Sequence, residues 1–125
     1  MTVGVTAANA NSWLDGTFAT ATCYVKLYIG DPGATGVNNA AVGSTTRVQA
    51  TMAAASAGSK AMSSMASGWT NGGASETLSH LGLWTAAAAG TFNASVALTT
   101  PQAWASGNTF SLTSLSVAIT PLSAG

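Results

Sequence analysis

The chain has 125 residues and six formal charges, with Lys26, Arg47 and Lys60 balancing Asp15, Asp31 and Glu76. Charged side chains make up 5% of the sequence, against about a quarter in ordinary soluble domains. Three scattered cations cannot form the basic stripe that neutralises phosphates, which excludes nucleic acid as a ligand, and three carboxylates with one histidine leave little for acid–base catalysis.

The length suits one domain, residues 1–125, with residues 1–16 read as an N-terminal arm and short helix. MTVGVTAANA has neither the basic nor the apolar region of a signal peptide, so synthesis in a cytoplasm is expected. No run reaches the ~18 to 20 apolar residues of a membrane span. In TAANANSWLDG, Ala7, Ala10, Asn11 and Leu14 recur at helical spacing, Thr6 offers an N-cap, and Gly16 suits a left-handed stop.

From residue 22 the period becomes two. Cys23, Val25, Leu27 and Ile29 point one way, and Thr22, Tyr24, Lys26 and Tyr28 the other. The lone Cys23 can form no intrachain disulfide and reads as a buried apolar side chain. In the glycine-rich segment that follows, Asp31, Pro32 and Gly33 predict a tight turn, with proline fixing φ and glycine supplying positive φ. It is no phosphate loop, because Val37, Asn38 and Asn39 stand after Gly36 where a lysine and a hydroxyl would be needed.

Arg47 to Met52 alternates again, with Val48, Ala50 and Met52 inward and Arg47 outward, where it is expected to pair with Asp31, Asp15 or a partner's carboxylate. Residues 53–68, rich in Ala, Ser and Met, read as a strand pair around Gly58. Glu76 to Trp84 is apolar on both sides: Leu78, His80, Gly82 and Trp84 share one face and Leu81 and Leu83 the other, as in a central strand. TAAAAG at 85–90 is read as a loop. Phe92, Ala94, Val96 and Leu98 then alternate with polar and small residues. Gly72-Gly73 and Gly107-Asn108 mark turns, Pro101 and Pro121 belong at strand ends or edges, and the apolar phase slips at 113–114. Seven or eight short strands after one helix predict an all-β fold, an antiparallel β-sandwich or jelly roll with one short N-terminal helix.

Chemistry has few carriers. Ser79 and His80 are strand neighbours whose side chains are expected to diverge, no G-x-S-x-G elbow exists, and the spacing of His80, Asp15, Asp31, Glu76 and Cys23 implies no metal site. No catalytic residue, cofactor or metal is expected. Arg47, Trp69, Trp104, Tyr24 and Tyr28 are the candidate interface residues, and tryptophans in so small a β domain are read first as core or interface anchors.

The blocks YVKLYIGDPGATGVNNAAVGSTTRVQATM and ETLSHLGLWTAAAAGTFNASVALTTPQAWASGNTFSLTSLSVAIT carry the order GDPG, TR, SHxGLW and ALTxP. In this the chain resembles a family of small virion proteins of tailed phages of actinobacteria, often labelled tail fibre or minor tail proteins. It departs at Tyr28-Ile29, where that family often has His-Thr, and at Asn108, where an Asp is usual. The resemblance implies a virion component made in the bacterial host cytoplasm. Its partners would be the major capsid protein or tail proteins and further copies of itself, a trimer by analogy. From the sequence, the preferred role is a non-enzymatic capsid decoration (cement) protein, since low charge and short length suit a piece held by neighbours. The alternatives are a minor tail or tail-fibre subunit, or a carbohydrate-binding module that would hold a host glycan on Trp13, Trp69, Trp84, Trp104, Tyr24 or Tyr28.

Overall fold

A computed structural model describes residues 6–19, 23–112 and 115–118, apart from the side chains of 117 and 118. The expected turn residues 113–114 and Pro121 lie outside that range. Helix α1 spans Ala7–Thr17. The Thr6 hydroxyl accepts the Asn9 N–H at 3.3 Å, satisfying one of the donors a helix start leaves open. The helix runs through Gly16 instead of stopping there, and the Phe18 N–H closes it on the Leu14 carbonyl at 2.8 Å. Ala10, Leu14 and Phe18 are buried, whereas Ala7 is exposed.

The strands are β1 (Tyr24–Tyr28), β2 (Val48–Met52), β3 (Ser59–Met65), β4 (Trp69–Thr70), β5 (Glu76–Trp84), β6 (Phe92–Trp104), β7 (Thr109–Phe110) and β8 (Ser116–Ala118). Six form a curled antiparallel sheet in the order β6-β5-β1-β2-β3-β8, and β4 pairs with β7. With β5 returning to lie beside β1 after β1, β2 and β3, the order is that of a Greek key, the connection on which β-sandwiches are built. The β2–β3 hairpin turns through Ala57 (φ 51°) and Gly58 (φ 78°), the pair of positive angles that matches strand twist. The fold is all-β with one short N-terminal helix, as the alternations predict.

The core gathers Leu14 and Phe18 of the helix region with Cys23, Val25, Leu27, Val48, Ala50, Met52, Leu78, Leu81, Leu83, Trp69, Trp104 and Leu115. Complete burial pushes the Cys23 thiol up to about 11. Because the thiolate is the reactive form, Cys23 is expected to ignore a disulfide reagent at pH 8 until the chain is unfolded in denaturant, when one thiol per chain should titrate. Immediate labelling of the native protein would show that the strand does not bury it.

Two register shifts overturn the expected facing of side chains. In β5, Leu78 sits opposite Gln102 and His80 opposite Ala97, so Ser79 alone faces four residues of β6. The irregularity turns Leu78 into the core beside Leu81 and Leu83, away from the side of Gly82 and Trp84 where simple alternation put it. A second shift sets Phe92 opposite Trp84, with ring centroids 5.3 Å apart on the far face, so Phe92 leaves the face of Ala94, Val96 and Leu98. Pro101 falls in β6, an edge strand, opposite the β5 irregularity, a position where proline is tolerated.

Helix and sheet are joined by a polar staple. Lys60 of β3 is 5% exposed at its side chain and donates to Asp15 Oδ1 at 2.7 Å. The same oxygen accepts the Ala55 N–H at 2.9 Å, and Asn11 accepts the Gly58 N–H at 2.8 Å. The hydrogen bond from Lys60, then that from Ala55, holds the Asp15 carboxyl below its ordinary value. A depressed folded value gives stability that is present above the unfolded carboxylate value of about 3.9 and lost as pH falls through the lower folded one. Denaturant titrations of wild type and Asp15→Asn should therefore differ most at neutral pH and converge in acid. An equal gap at all pH values would remove the ion pair from the account.

Candidate functional site

The segment 29–41 folds back over the far face of the sheet and closes on itself. Asp31 accepts the Gly33 N–H at 2.9 Å, Gly33 has φ 76°, and Asn38 N–H reaches the Pro32 carbonyl at 3.1 Å. The Asn39 side chain donates to the Asp31 carbonyl at 2.9 Å. The Ile29 and Ala41 amides pair with the carbonyls of Asn39 and Leu27. Three of this loop's amides, those of Ile29, Gly33 and Asn38, are thus used inside it, which is the behaviour of a built turn and not of an anion cradle.

Tyr28 is the loop's anchor. It is fully buried, its hydroxyl donating to the Gly36 carbonyl at 2.8 Å and accepting the Trp84 indole N–H at 3.0 Å. Burial pushes its phenol up, opposed by the bond from Trp84 and the nearby Arg47 charge. The ring packs against Gly82, where an added Cβ would come 2.5 Å from it. Gly36 is fixed in turn by φ 73° and by Phe92 and Trp84, each within 2.7 Å of where its Cβ would be. Ile29 was expected inward with Leu27 but turns out to solvent, because the chain leaves the strand at Tyr28.

Among the described residues Arg47 pairs with neither Asp31 nor Asp15. Its guanidinium stacks 3.7 Å from the Trp84 ring centroid and donates to the carbonyls of Ala86 and Ala89. The 85–90 loop, tied also by Thr91 N–H to the Thr85 hydroxyl, supplies these fixed carbonyls.

At the other end, Trp69 and Trp104 are 1% and 2% exposed and lie in the core, their indoles donating to the carbonyls of Thr46 and Asn108. Burial takes Trp69, Trp104 and Tyr28 off the free surface of the chain, and of the interface candidates Tyr24 and Arg47 stay half-buried. Asn71, which sequence reasoning missed, is buried beside Trp104. Its amide donates to the carbonyls of Ala74 and Trp104, and its oxygen accepts the Gly73 N–H. The Glu76 carboxylate caps the amides of Val42 and Gly43 at 2.9 and 3.0 Å. The Asn-Gly-Gly turn signal could have located Asn71, but nothing local foretold its burial.

The β5 irregularity also brings Ser79 Oγ to 2.9 Å from His80 Nδ1, against the expectation that strand neighbours diverge. Hydroxyl and imidazole in contact are two parts of an acyl-transfer set. The third is missing: among the described residues the one ion pair is Lys60 with Asp15, so no carboxylate orients the ring. Among the described residues no three His, Cys, Asp or Glu side chains gather as metal ligands, and no helix is long and apolar enough to cross a membrane.

The fold and these contacts define a charge-poor β domain whose polar groups close its own loops. The chain belongs to the phage family described as Podophage GP4 fiber I protein gp80, whose model matches residues 4–120. It is a bacteriophage structural protein and a virion component. No curated protein matches it.

Proposed function

We propose that this chain is a non-enzymatic subunit of a phage tail fibre, assembled with copies of itself, as a trimer, and with other tail proteins. The observation that carries the reading is the fibre-family match over residues 4–120. The family description favours the fibre over capsid decoration, the role preferred from sequence alone. The engaged carboxylates support a structural role: Asp15 holds Lys60, Glu76 holds two backbone amides, and Asp31 holds its own turn. The protein needs no cofactor or metal, and its contacts are with proteins instead of nucleic acid or membrane. A glycan-binding role loses support with the burial of Trp69, Trp84, Trp104 and Tyr28, since Trp13 is the one tryptophan left exposed.

Gold-labelled antibody against this chain, applied to intact virions, tests the proposal. Label on fibres at the tail is expected. Label spread over the capsid shell would return the protein to decoration, and no label on fully accessible particles would remove it from the fibre.

A further inference from the structure

Asn71 and Gly72 form the one Asn-Gly step in the chain. Such a step carries a reaction of its own, because glycine has no side chain to keep its nitrogen from the carboxamide before it. The Gly72 nitrogen attacks Asn71 Cγ and closes a cyclic imide, while the Cγ–Nδ2 bond breaks and Nδ2 leaves as ammonia with the Gly72 proton. Water then adds across either carbonyl–nitrogen bond of the ring. The product is an aspartate or an isoaspartate at position 71, and the chain gains a carboxylate.

The fold restrains both reacting groups. The Gly72 N–H donates to the Gly43 carbonyl at 2.9 Å, so the attacking nitrogen is held to its proton. The buried Asn71 carboxamide is tied to Ala74, Trp104 and Gly73, and turning Cγ onto Gly72 would break those bonds. The backbone of Asn71 is fixed as well, its N–H on the Asn108 carbonyl at 2.9 Å and its carbonyl on the Gly107 N–H at 2.8 Å. Gly43 packs so closely that an added Cβ would overlap Asn71 Oδ1. Reaction therefore requires the segments around Gly43, Asn71 and Asn108 to part.

We propose that Asn71-Gly72 is a self-modifying site sealed by the fold, at which local opening converts an amide the structure needs into a carboxylate it cannot accommodate. The conversion runs one way. An aspartate there would aim an anion at the Ala74 and Trp104 carbonyls in place of the N–H donors they accept. An isoaspartate also lengthens the backbone by a carbon between the contacts to Asn108 and Gly107. Either product keeps the turn from closing again, so the subunit is lost by a rate and not by an equilibrium. A virion component is not resynthesised once its particle has left the cell. The opening of this turn thus caps the subunit's working life.

Peptide mapping by mass spectrometry tests this on purified full-length protein, held native or unfolded in urea in the same mildly alkaline buffer. Aspartate and isoaspartate at position 71 should accumulate in the unfolded chain, and at least about a hundredfold more slowly in the native one, as for a site that reacts only when open. Gly72→Ala separates the chemistry from the fold. Its Cβ would meet nothing nearer than the Gly43 carbonyl at 3.7 Å, and Gly72 is not among the residues with positive φ, so the turn should form. The variant should react several-fold more slowly when unfolded, and over repeated heating cycles it should recover more of its melting transition than wild type does. Native protein that reacts as fast as the unfolded chain would overturn the seal. Converted chains, separated by ion exchange on their added carboxylate, that melt like wild type would overturn the consequence, and Gly72→Ala fading over heating cycles as fast as wild type would overturn the role of this step.

Discussion

Trp84→Ala is expected to lower the unfolding free energy by about 3 to 5 kcal/mol, the range for emptying a buried aromatic site. Trp84 joins several elements on the far face. It carries Arg47 on its ring, packs against Phe92, meets Gly36 of the turn loop, and donates to the Tyr28 hydroxyl. Truncation would empty the space under the loop and leave the Arg47 guanidinium without its platform. Trp84→Phe keeps a ring but loses the N–H, so about 1 kcal/mol is expected from the hydrogen bond, plus a packing loss smaller than that of alanine. Urea unfolding followed by circular dichroism measures both. A loss below about 1 kcal/mol for Trp84→Ala would mean that the loop does not seal this face.

Asn71→Ala should be the most damaging polar substitution. The side chain is 1% exposed and satisfies three backbone groups at once, on Gly73, Ala74 and Trp104. A buried group left unpaired costs about 1 to 3 kcal/mol, and water reaching some of the three would reduce the sum, so a loss of about 3 kcal/mol or more is expected. Asn71→Asp is close to isosteric yet would aim a carboxylate at two carbonyl oxygens. It should lose at least as much at pH 7 and regain part as the pH falls from its raised folded value toward the unfolded carboxylate value of about 3.9, because protonation restores a donor. If Asn71→Asp were as stable as wild type at neutral pH, the Ala74 and Trp104 bonds would not form in solution.

Which parts of this fold were legible follows from the range of the forces involved. Alternation in β1 and β2 placed Cys23, Val25, Leu27, Val48, Ala50 and Met52 in the core, because period-two patterning is a local consequence of the pleat. Asp31, Pro32 and Gly33 announced their turn by backbone preference alone. Tyr28 was placed on the correct face but its burial was not foreseen, because that burial comes from a loop that returns onto its own strand and from the missing side chain of Gly82, neither visible in the strand's pattern. Leu78 and Phe92 changed faces through single register slips, to which a binary pattern is blind. Lys60 went unrecognised as a buried partner because Ala, Ser and Met around it gave β3 no clear phase, and Asp15 comes from 45 residues away. Trp69 and Trp104 were fairly weighed as core or interface; the Trp69 indole finds its partner in a distant segment, at Thr46, and that of Trp104 in the turn just after its own strand, at Asn108.

The central claim is that this chain is a building part of the phage fibre, and its abundance in purified particles tests that most directly. Quantitative mass spectrometry of intact virions, normalised to the major capsid protein, should find the chain present at a small fraction of the shell's copy number. Its absence from the particle, or an abundance close to one copy per capsid subunit, would contradict the assignment.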